Sequence, residues 1–297
     1  MLFAASGASA FFLGGDGAGE PAYHRGVTDA RPSSRDTRRP TWAAAVLLAA
    51  STIVGSCSHG VDSARALDSF AAAERGDAAA QHALATAYFT GNGTPPDFDA
   101  AASWMRKAAS QGYAPAQSDL GELYRLGLGV PTNYTQSLEW FRKAAEQGYA
   151  AAQFNVGIAY RDGRGVPWDL TQAIGWFRRA AEQGDRDAEI ELASANLLGY
   201  GVTRDPAQAA VWYRRAAEQG SIEASYRLGL LYADGDGVER DVIAALEWLD
   251  VATARSSGQR KQSVAASRDR VAHEATADQM AEAERRAKAR TATLDAP

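Results

Sequence analysis

The sequence predicts an all-α protein, a right-handed superhelical α/α solenoid, from three regularities that share a period of 36 residues. The pentapeptide AAEQG occurs at 144–148, 180–184 and 216–220, and variants of it occur at 72–76 and 108–112. Five of the seven tryptophans are also 36 residues apart. Pairs of glycines recur at the same interval. A period of this length is typical of stacked helical units rather than of one globular core.

Each unit is predicted to contain two antiparallel helices, which we call helix A and helix B. In the second unit Ala116, Leu120 and Tyr124 recur every fourth residue, so they share one face of helix A. Gly127 is predicted to end that helix, because glycine adopts the left-handed conformation without a steric penalty. Each helix B begins after a predicted N-cap residue, and these are Asp97, Asn133, Asp169, Asp205 and Asp241.

The recurring pentapeptide is predicted to form a constant junction between units. Ala144 and Ala145 keep the end of helix B thin, so that the next helix A can pack closely against it. Glu146 follows Arg142 and Lys143 at the spacing of surface ion pairs, each contributing roughly a few tenths of a kcal/mol. Identical junctions give an identical rotation per unit and therefore a regular superhelix.

The unit follows the pattern A-x-x-x-L-G-x-x-Y-x-x-G-x-G-V, then an aspartate or asparagine, then W-[FY]-[RK]-[RK]-A-A-E-Q-G. This pattern strongly resembles the Sel1-like repeat, a relative of the tetratricopeptide repeat (TPR). The resemblance spans 77–254 and departs from the pattern at Thr94, Asn196, Asp250 and Val251, none of which we expect to change the fold. It implies five Sel1-like (TPR-like) helix pairs, at 77–112, 113–148, 149–184, 185–220 and 221–254.

The two ends of the array need caps, because an exposed stacking face is apolar. Residues 58–76 are predicted to be a linker and a capping helix, with Phe70 on the first unit. Residues 255–297 are predicted to form C-terminal capping helices and a tail, with Thr276 and Gln279 at capping-box spacing. Two interpretations of the last helix are open, a cap of the array or a helix that binds a partner.

The N-terminal region has the composition of an export signal. Arginines precede the apolar run at 41–56, and small residues end it. The segment 27–57 resembles the signal sequence of bacterial lipoproteins, which implies that Cys57 is the lipid attachment site and the mature N-terminus. Residues 1–26 do not fit a signal. We therefore expect translation to begin at Val27, which makes the preceding residues a mis-assigned or disordered extension.

The resemblance also implies a location. It implies export to the periplasm, and Ser58 after the cysteine implies attachment at the outer membrane. One alternative is an uncleaved signal that anchors the protein in the inner membrane, although a spanning helix needs roughly 20 apolar residues. The other alternative is a secreted protein with an unmodified cysteine.

Composition and motifs argue against several functional classes. The net charge of −5, without a basic face in the body of the chain, argues against binding to nucleic acid. We expect no metal and no cofactor, because the histidines lack metal-ligand spacing. The glycine-rich turns lack the lysine of a phosphate-binding loop, and no nucleophile motif is present. We therefore expect that the protein is not an enzyme.

The candidate binding site is a row of helix A positions that face away from the buried stripe. At 100° per residue, positions equivalent to 118, 122 and 125 lie opposite Leu120 and Tyr124. Family members line their concave side with helix A, so this otherwise solvated row would face a partner. Packing of some members on adjacent helices is the alternative. The predicted partner-binding residues are Phe154, Ile158, Arg161, Ile190, Tyr226 and Leu230.

Together these observations predict a non-catalytic scaffold or adaptor of the bacterial cell envelope that binds a protein or peptide in its concave groove. By resemblance, such proteins assist the assembly of secretion, polysaccharide-export or peptidoglycan machinery. A secreted cell-wall-acting enzyme or peptidoglycan-binding protein is one alternative, which convergent carboxylates in the groove would favour. An inner-membrane-anchored signalling adaptor is another.

Overall fold

The computed structural model describes residues 69–91 and 95–296, and in this part of the chain no residue belongs to a β-strand. A short helical segment at 69–74 comes first. Cys57 and the predicted signal lie outside the described residues. The helices that follow are α1 Ala78–Thr90, α2 Phe98–Ser110, α3 Ala114–Leu126, α4 Tyr134–Glu146, α5 Ala150–Asp162, α6 Leu170–Glu182, α7 Arg186–Leu198, α8 Pro206–Glu218, α9 Ile222–Asp234, α10 Val242–Arg255, α11 Gly258–Ala272 and α12 Ala277–Leu294.

The helices stack in chain order. Each of α2 to α9 packs extensively on the helix before it and the helix after it. The odd-numbered helices from α1 to α9 are the helices A, and the even-numbered helices from α2 to α10 are the helices B. Because extensive contacts in the described part of the chain join only neighbouring units, the array is an open solenoid, and the predicted fold class is confirmed.

The predicted helix ends are also confirmed. Gly127 has φ 73°, and its backbone N–H donates to the Leu123 carbonyl at the end of α3. This φ lies in the left-handed region, where a side chain would be strained. At the other helix ends, a side-chain oxygen of each predicted N-cap accepts a hydrogen bond from the backbone N–H three residues later. These N-caps are Asp97, Asn133, Asp169, Asp205 and Asp241.

Small residues let helices A and B of one unit approach closely. A Cβ on Gly121 would lie 2.8 Å from Cδ1 of Phe141, and a Cβ on Gly157 would lie 2.5 Å from Cε1 of Phe177. These distances are shorter than van der Waals contact, so glycine is required where a phenylalanine ring faces helix A. The prediction that Gly121 admits a neighbouring helix is therefore confirmed.

A chain of side-chain amides holds the junction between units. Gln147 donates through Nε2 to Oε1 of Gln117 at 2.7 Å, and Gln117 donates to the Ala109 carbonyl at 3.1 Å. The glutamine of AEQG thus ties helix B to its own helix A, which in turn holds the end of the preceding helix B. Equivalent pairs of bonds link Gln111, Gln81 and Ala73, and also Gln183, Gln153 and Ala145.

The basic pair before the closing alanines does not form the predicted ion pairs with Glu146. Lys143 lies 4.0 Å from the centroid of the Trp140 ring, and Arg142 donates to the Tyr160 hydroxyl at 2.6 Å. The ion-pair prediction was wrong. The two cations instead contact an aromatic ring one turn back and one in the next unit, where cation–π attraction and a hydrogen bond hold them.

Both ends of the described array carry additional helical residues. At the start, the Phe70 ring lies edge-on to Trp104 with centroids 6.5 Å apart. At the other end, α11 and α12 both pack on α10. The predicted capping box is present, because Thr276 and Gln279 each bond to the other's backbone N–H.

The departures from the repeat pattern in the fifth unit are explained by contacts with these last helices. Asp250 accepts a hydrogen bond from Arg268 of α11 at 2.9 Å, and Val251 is buried. The cation missing from position 251 is supplied by Arg290 of α12, whose guanidinium lies 4.1 Å from the Trp248 ring centroid. The unit has therefore exchanged its own basic pair for residues that receive the two C-terminal helices.

Candidate functional site

The predicted row runs along α3, α5, α7 and α9. All six predicted binding residues lie on the last three of these helices and are half-buried. The expectation of an otherwise solvated row was wrong in α3, where Ser118 is 4% exposed and Glu122 is 7% exposed. Glu122 is covered because Arg125, one turn later, donates two hydrogen bonds to its carboxylate. Long side chains of the row therefore cover its shorter members.

The apolar residues in the middle of the row pack partly inward. The Phe154 ring lies 5.6 Å from the Phe177 ring, and Phe154 and Ile158 border the core cluster built around α6 and α7. Ile190 borders the next cluster along the array. These side chains contribute to stability as well as to the surface, so replacing Phe154 with a small residue would remove core contacts.

Arg161 lies in the same row but has carboxylate partners within the chain. Its guanidinium donates to Glu191 of the next helix A at 2.6 Å and to Asp162 at 2.8 Å. Burial acts to lower the pKa of Arg161, but the hydrogen bonds and charges of these two carboxylates outweigh burial, and the net pKa is raised. Arg161 therefore links two units as a permanent cation.

The C-terminal end of the row lies against the capping helices. Tyr226 borders a core cluster that contains Val271 and Ala283, and its hydroxyl lies 3.3 Å from Oγ of Ser267. Leu230 is half-buried and belongs to none of the core clusters. Of the six predicted residues, Leu230 is thus the one whose substitution removes the least internal packing.

Buried carboxylates beside the row are paired with basic groups. Asp119 lies 2.8 Å from Nε2 of His82 in α1, and Glu191 lies 2.6 Å from Arg161. Both pairs join consecutive helices A. Each of these two carboxylates is therefore engaged by a side chain of a neighbouring helix A rather than free.

Sequence reasoning missed the turns between helices A and B as a site of exposed apolar residues. Trp168 is 65% exposed, and Tyr200 is 49% exposed. A signal for them was present, because both lie next to the recurring glycine pairs that mark surface turns. The full set in these turns and at the adjoining helix ends is Leu126, Tyr134, Trp168, Leu198 and Tyr200.

Residues 69–91 and 95–296 contain no group of three or more His, Cys, Asp or Glu side chains arranged to hold a metal ion. None of the helices there combines the length and the apolar character that a bilayer-spanning segment requires.

Comparison with protein families identifies the repeating unit. A family model described as "Sel1 repeat" matches residues 78–113, 114–149, 150–185, 186–221 and 222–256. These five matches cover more than half of the chain. A comparison with curated proteins finds no match.

Two solved structures are similar to the chain over most of its length. One is c5321, a protective antigen present in uropathogenic Escherichia coli strains displaying an SLR fold, with 32% identity and a TM-score of 0.61. The match covers 77% of this chain but only 56% of the E. coli protein. The other is a Sel1 repeat protein from Oxalobacter formigenes, with 35% identity, a TM-score of 0.58, and coverage of 62% of this chain and 76% of that one.

Proposed function

Because the chain belongs to the Sel1 repeat family, we propose that it is a non-catalytic scaffold of the bacterial cell envelope that holds a partner protein or peptide in its concave groove. Sel1 repeat proteins are generally scaffolds for protein interactions. The observation that carries the proposal is the open stacking of the described helices, which bury their shared faces between neighbouring units and leave a continuous surface on each side.

The groove contact is proposed along the row on α5, α7 and α9. Half-buried apolar side chains there combine a fixed position with a partly exposed surface, which is typical of residues that anchor a partner. Leu230 is the member best suited to this role, because it borders none of the core clusters, and Ile158 stands at the equivalent position two units earlier.

The alternative of a wall-acting enzyme has no favouring observation in the described residues. General acid–base catalysis at a sugar needs two carboxyl groups free to reach the substrate. The carboxylates nearest the row, Asp119, Glu122 and Glu191, each contact a basic side chain instead.

The partner-binding test compares two row substitutions with a matched control. Leu230→Ser and Ile158→Ser are expected to reduce crosslinking of envelope proteins to the purified chain, because each removes apolar contact area in the groove. Val211→Ser is the control, since Val211 is 47% exposed on α8, away from the row. Crosslinked species are quantified by mass spectrometry, and unfolding temperatures show that the variants remain folded. Equal crosslinking by all three variants and the wild type would reject the groove.

The envelope location is proposed from the signal-like segment and Cys57. Description of the E. coli relative as a protective antigen is consistent with an envelope protein, although this chain spans 56% of that protein. Mass spectrometry of the mature protein from bacterial membranes is the test. We expect an N-terminal Cys57 carrying a diacylglyceryl group, and a soluble product for Cys57→Ser. An uncleaved N-terminus would support the inner-membrane adaptor instead.

A further inference from the structure

The helices B carry a regular set of basic residues, which occupy the two [RK] positions of the repeat pattern. Two consecutive basic residues occur near the end of each of α2, α4, α6 and α8. We call this set the basic ladder. Its members are Arg106, Lys107, Arg142, Lys143, Arg178, Arg179, Arg214 and Arg215. The same four helices also carry five acidic residues, which reduce the charge of the eight cations without cancelling it. These are Asp99, Glu139, Glu146, Glu182 and Glu218.

Aromatic rings fix most of these cations in place. The second member of each pair lies over the tryptophan one turn earlier, at 3.5 Å for Lys107 and 4.7 Å for Arg215 from the ring centroid. The first member reaches a tyrosine of the next unit, as Arg106 does to Tyr124 at 3.3 Å. Arg178 is the exception, since Asn196 stands where that tyrosine would be. A cation that is held before binding loses less conformational entropy when a partner arrives.

The ladder differs from the arginines of helices A in its lack of acidic partners. Arg125, Arg161 and Arg227 each have a carboxylate oxygen within 4.0 Å. Within residues 69–91 and 95–296, no ladder residue has a carboxylate oxygen that close, and all but Arg142 are exposed. A guanidinium that lies over a ring keeps its in-plane N–H donors free, and an ammonium over a ring keeps the N–H donors that point away from it.

The fifth unit shows how this face receives a polypeptide. There the polarity is reversed, because the array supplies the acids and the docked helices supply the arginines. Glu247 accepts a hydrogen bond from Arg290 of α12 at 2.7 Å while the same guanidinium stacks on Trp248. The Glu247 side chain is only 7% exposed, whereas that of Arg290 is 34% exposed, so the carboxylate is the shielded member of the pair. A tryptophan, a cation and a carboxylate thus form a stable group on this face.

We propose that the basic ladder is a docking surface for an acidic polypeptide segment of a partner. The surface is continuous with the face that α12 covers at the fifth unit. The four earlier units supply the tryptophan and the cation. In the second unit Glu139 already stands at the repeat position of Glu247, so the partner supplies the carboxylate at the other three units, where that position holds Ser103, Gly175 and Val211. Polypeptide is the occupant because a helix of the chain itself already covers the last member of the face. Charge complementarity requires that the occupant be acidic where the array is basic, just as α12 is basic where the array is acidic.

The basic ladder lies on helices B, apart from the proposed concave row on helices A, and one double variant tests it independently. The double variant Arg178→Gln/Arg179→Gln removes two ladder cations, of which Arg178 has no tyrosine partner. Its matched control is Arg164→Gln/Arg186→Gln, which makes the same change of net charge at exposed arginines that already lie near Asp162 and Asp187. Both variants are checked by thermal unfolding.

The probe is fluorescently labelled poly-L-glutamate, and its binding to the full chain is followed by fluorescence anisotropy at low and at physiological salt. We expect the wild type to bind, with affinity that falls as salt rises because exposed charges are screened. The ladder variant should bind about threefold to tenfold more weakly, since each exposed ion pair contributes only a small factor. The control should change by less than about twofold.

Three outcomes would overturn the proposal. The first is absence of poly-L-glutamate binding by the wild type at low salt. The second is an equal loss in the ladder variant and the control, which would indicate a response to net charge alone. The third is binding of polyphosphate or of phosphatidylglycerol vesicles without binding of poly-L-glutamate, which would identify a phosphate or lipid surface. None of them bears on the concave row, which has its own test at Leu230 and Ile158.

Discussion

Glu189 provides the sharpest test of how the junctions between units are held. It occupies the position of Gln117 and Gln153 in the amide chain and is 2% exposed. Like those glutamines, it accepts a hydrogen bond from the closing glutamine of its unit, here Gln219 at 2.8 Å. An ionised carboxylate has no hydrogen with which to donate to the Ala181 carbonyl, the equivalent of the carbonyls that the glutamines bind.

Burial raises the pKa of Glu189 to about 7 from its ordinary value of 4.5. The charge of Arg215 and the hydrogen bond from Gln219 act in the opposite direction, while the charges of Asp185 and Glu218 act with burial. Between these two pKa values the folded state binds more protons than the unfolded state. The contribution of Glu189 to the free energy of unfolding therefore falls as pH rises from about 4.5 to about 7 and changes no further above that.

Glu189→Gln should remove this pH dependence and restore the donor. The pKa difference corresponds to about 3 kcal/mol at most, and water penetration makes about 1–3 kcal/mol the expected gain at pH 8. For an array of this size the gain corresponds to about 3–9 °C in unfolding temperature. At about pH 5 the gain should be much smaller, because the wild-type carboxyl is then protonated in the folded state.

Thermal unfolding followed by far-UV circular dichroism at both pH values measures the effect. Gln153→Glu is the matched variant, since it places a carboxyl at the same position one unit earlier and should import the same loss of stability at high pH. A gain from Glu189→Gln that is equal at pH 5 and pH 8 would refute the reasoning, because it would show that the carboxyl's ionisation does not weaken the junction.

Two further pairs of substitutions test the packing and the docking of α12, each by urea denaturation. Gly157→Ala should destabilise the protein by about 1–3 kcal/mol, because the added Cβ would overlap the Phe177 ring. Gly175→Ala should stabilise it by about 0.5–1 kcal/mol, because no atom lies within 4 Å of a Cβ at that position. A change of the same sign in both variants would contradict this packing. Arg290→Ala should cost about 1–2 kcal/mol by leaving the Glu247 carboxylate without its cation, and Arg290→Lys should recover part of it; no change in either would show that α12 is not held there.

The features that sequence predicted well depend on short-range geometry. The N-cap of Asp169 and the left-handed Gly127 follow from the positions of neighbouring backbone groups, which lie within four residues. The close approach at Gly121 followed from its place on the buried face of α3. A residue's local role is repeated in every unit, so five copies of the pattern strengthened each of these predictions.

The contacts that sequence missed join residues 18 to 43 positions apart. Arg142 contacts Tyr160 rather than Glu146, and Gln147 contacts Gln117. Which of these groups meet depends on how far each unit rotates on the last, and periodicity alone does not state that angle. The stacking of the units also explains why the members of the predicted row are half-buried. They pack on neighbouring helices, as Phe154 does on Phe177. Whether Phe154, Ile158, Arg161, Ile190, Tyr226 and Leu230 bind a partner stays a prediction.

The sequence by itself determined that this protein is a line of helix pairs, where each helix begins and ends, and which small residues allow close packing, because hydrogen bonding and sterics within a few residues dictate those choices. Only the tertiary structure decided which charged side chains pair within the chain and which do not. Two side chains from different units meet only when the stacked helices bring them to within a few ångströms, and that distance is a property of the assembled array.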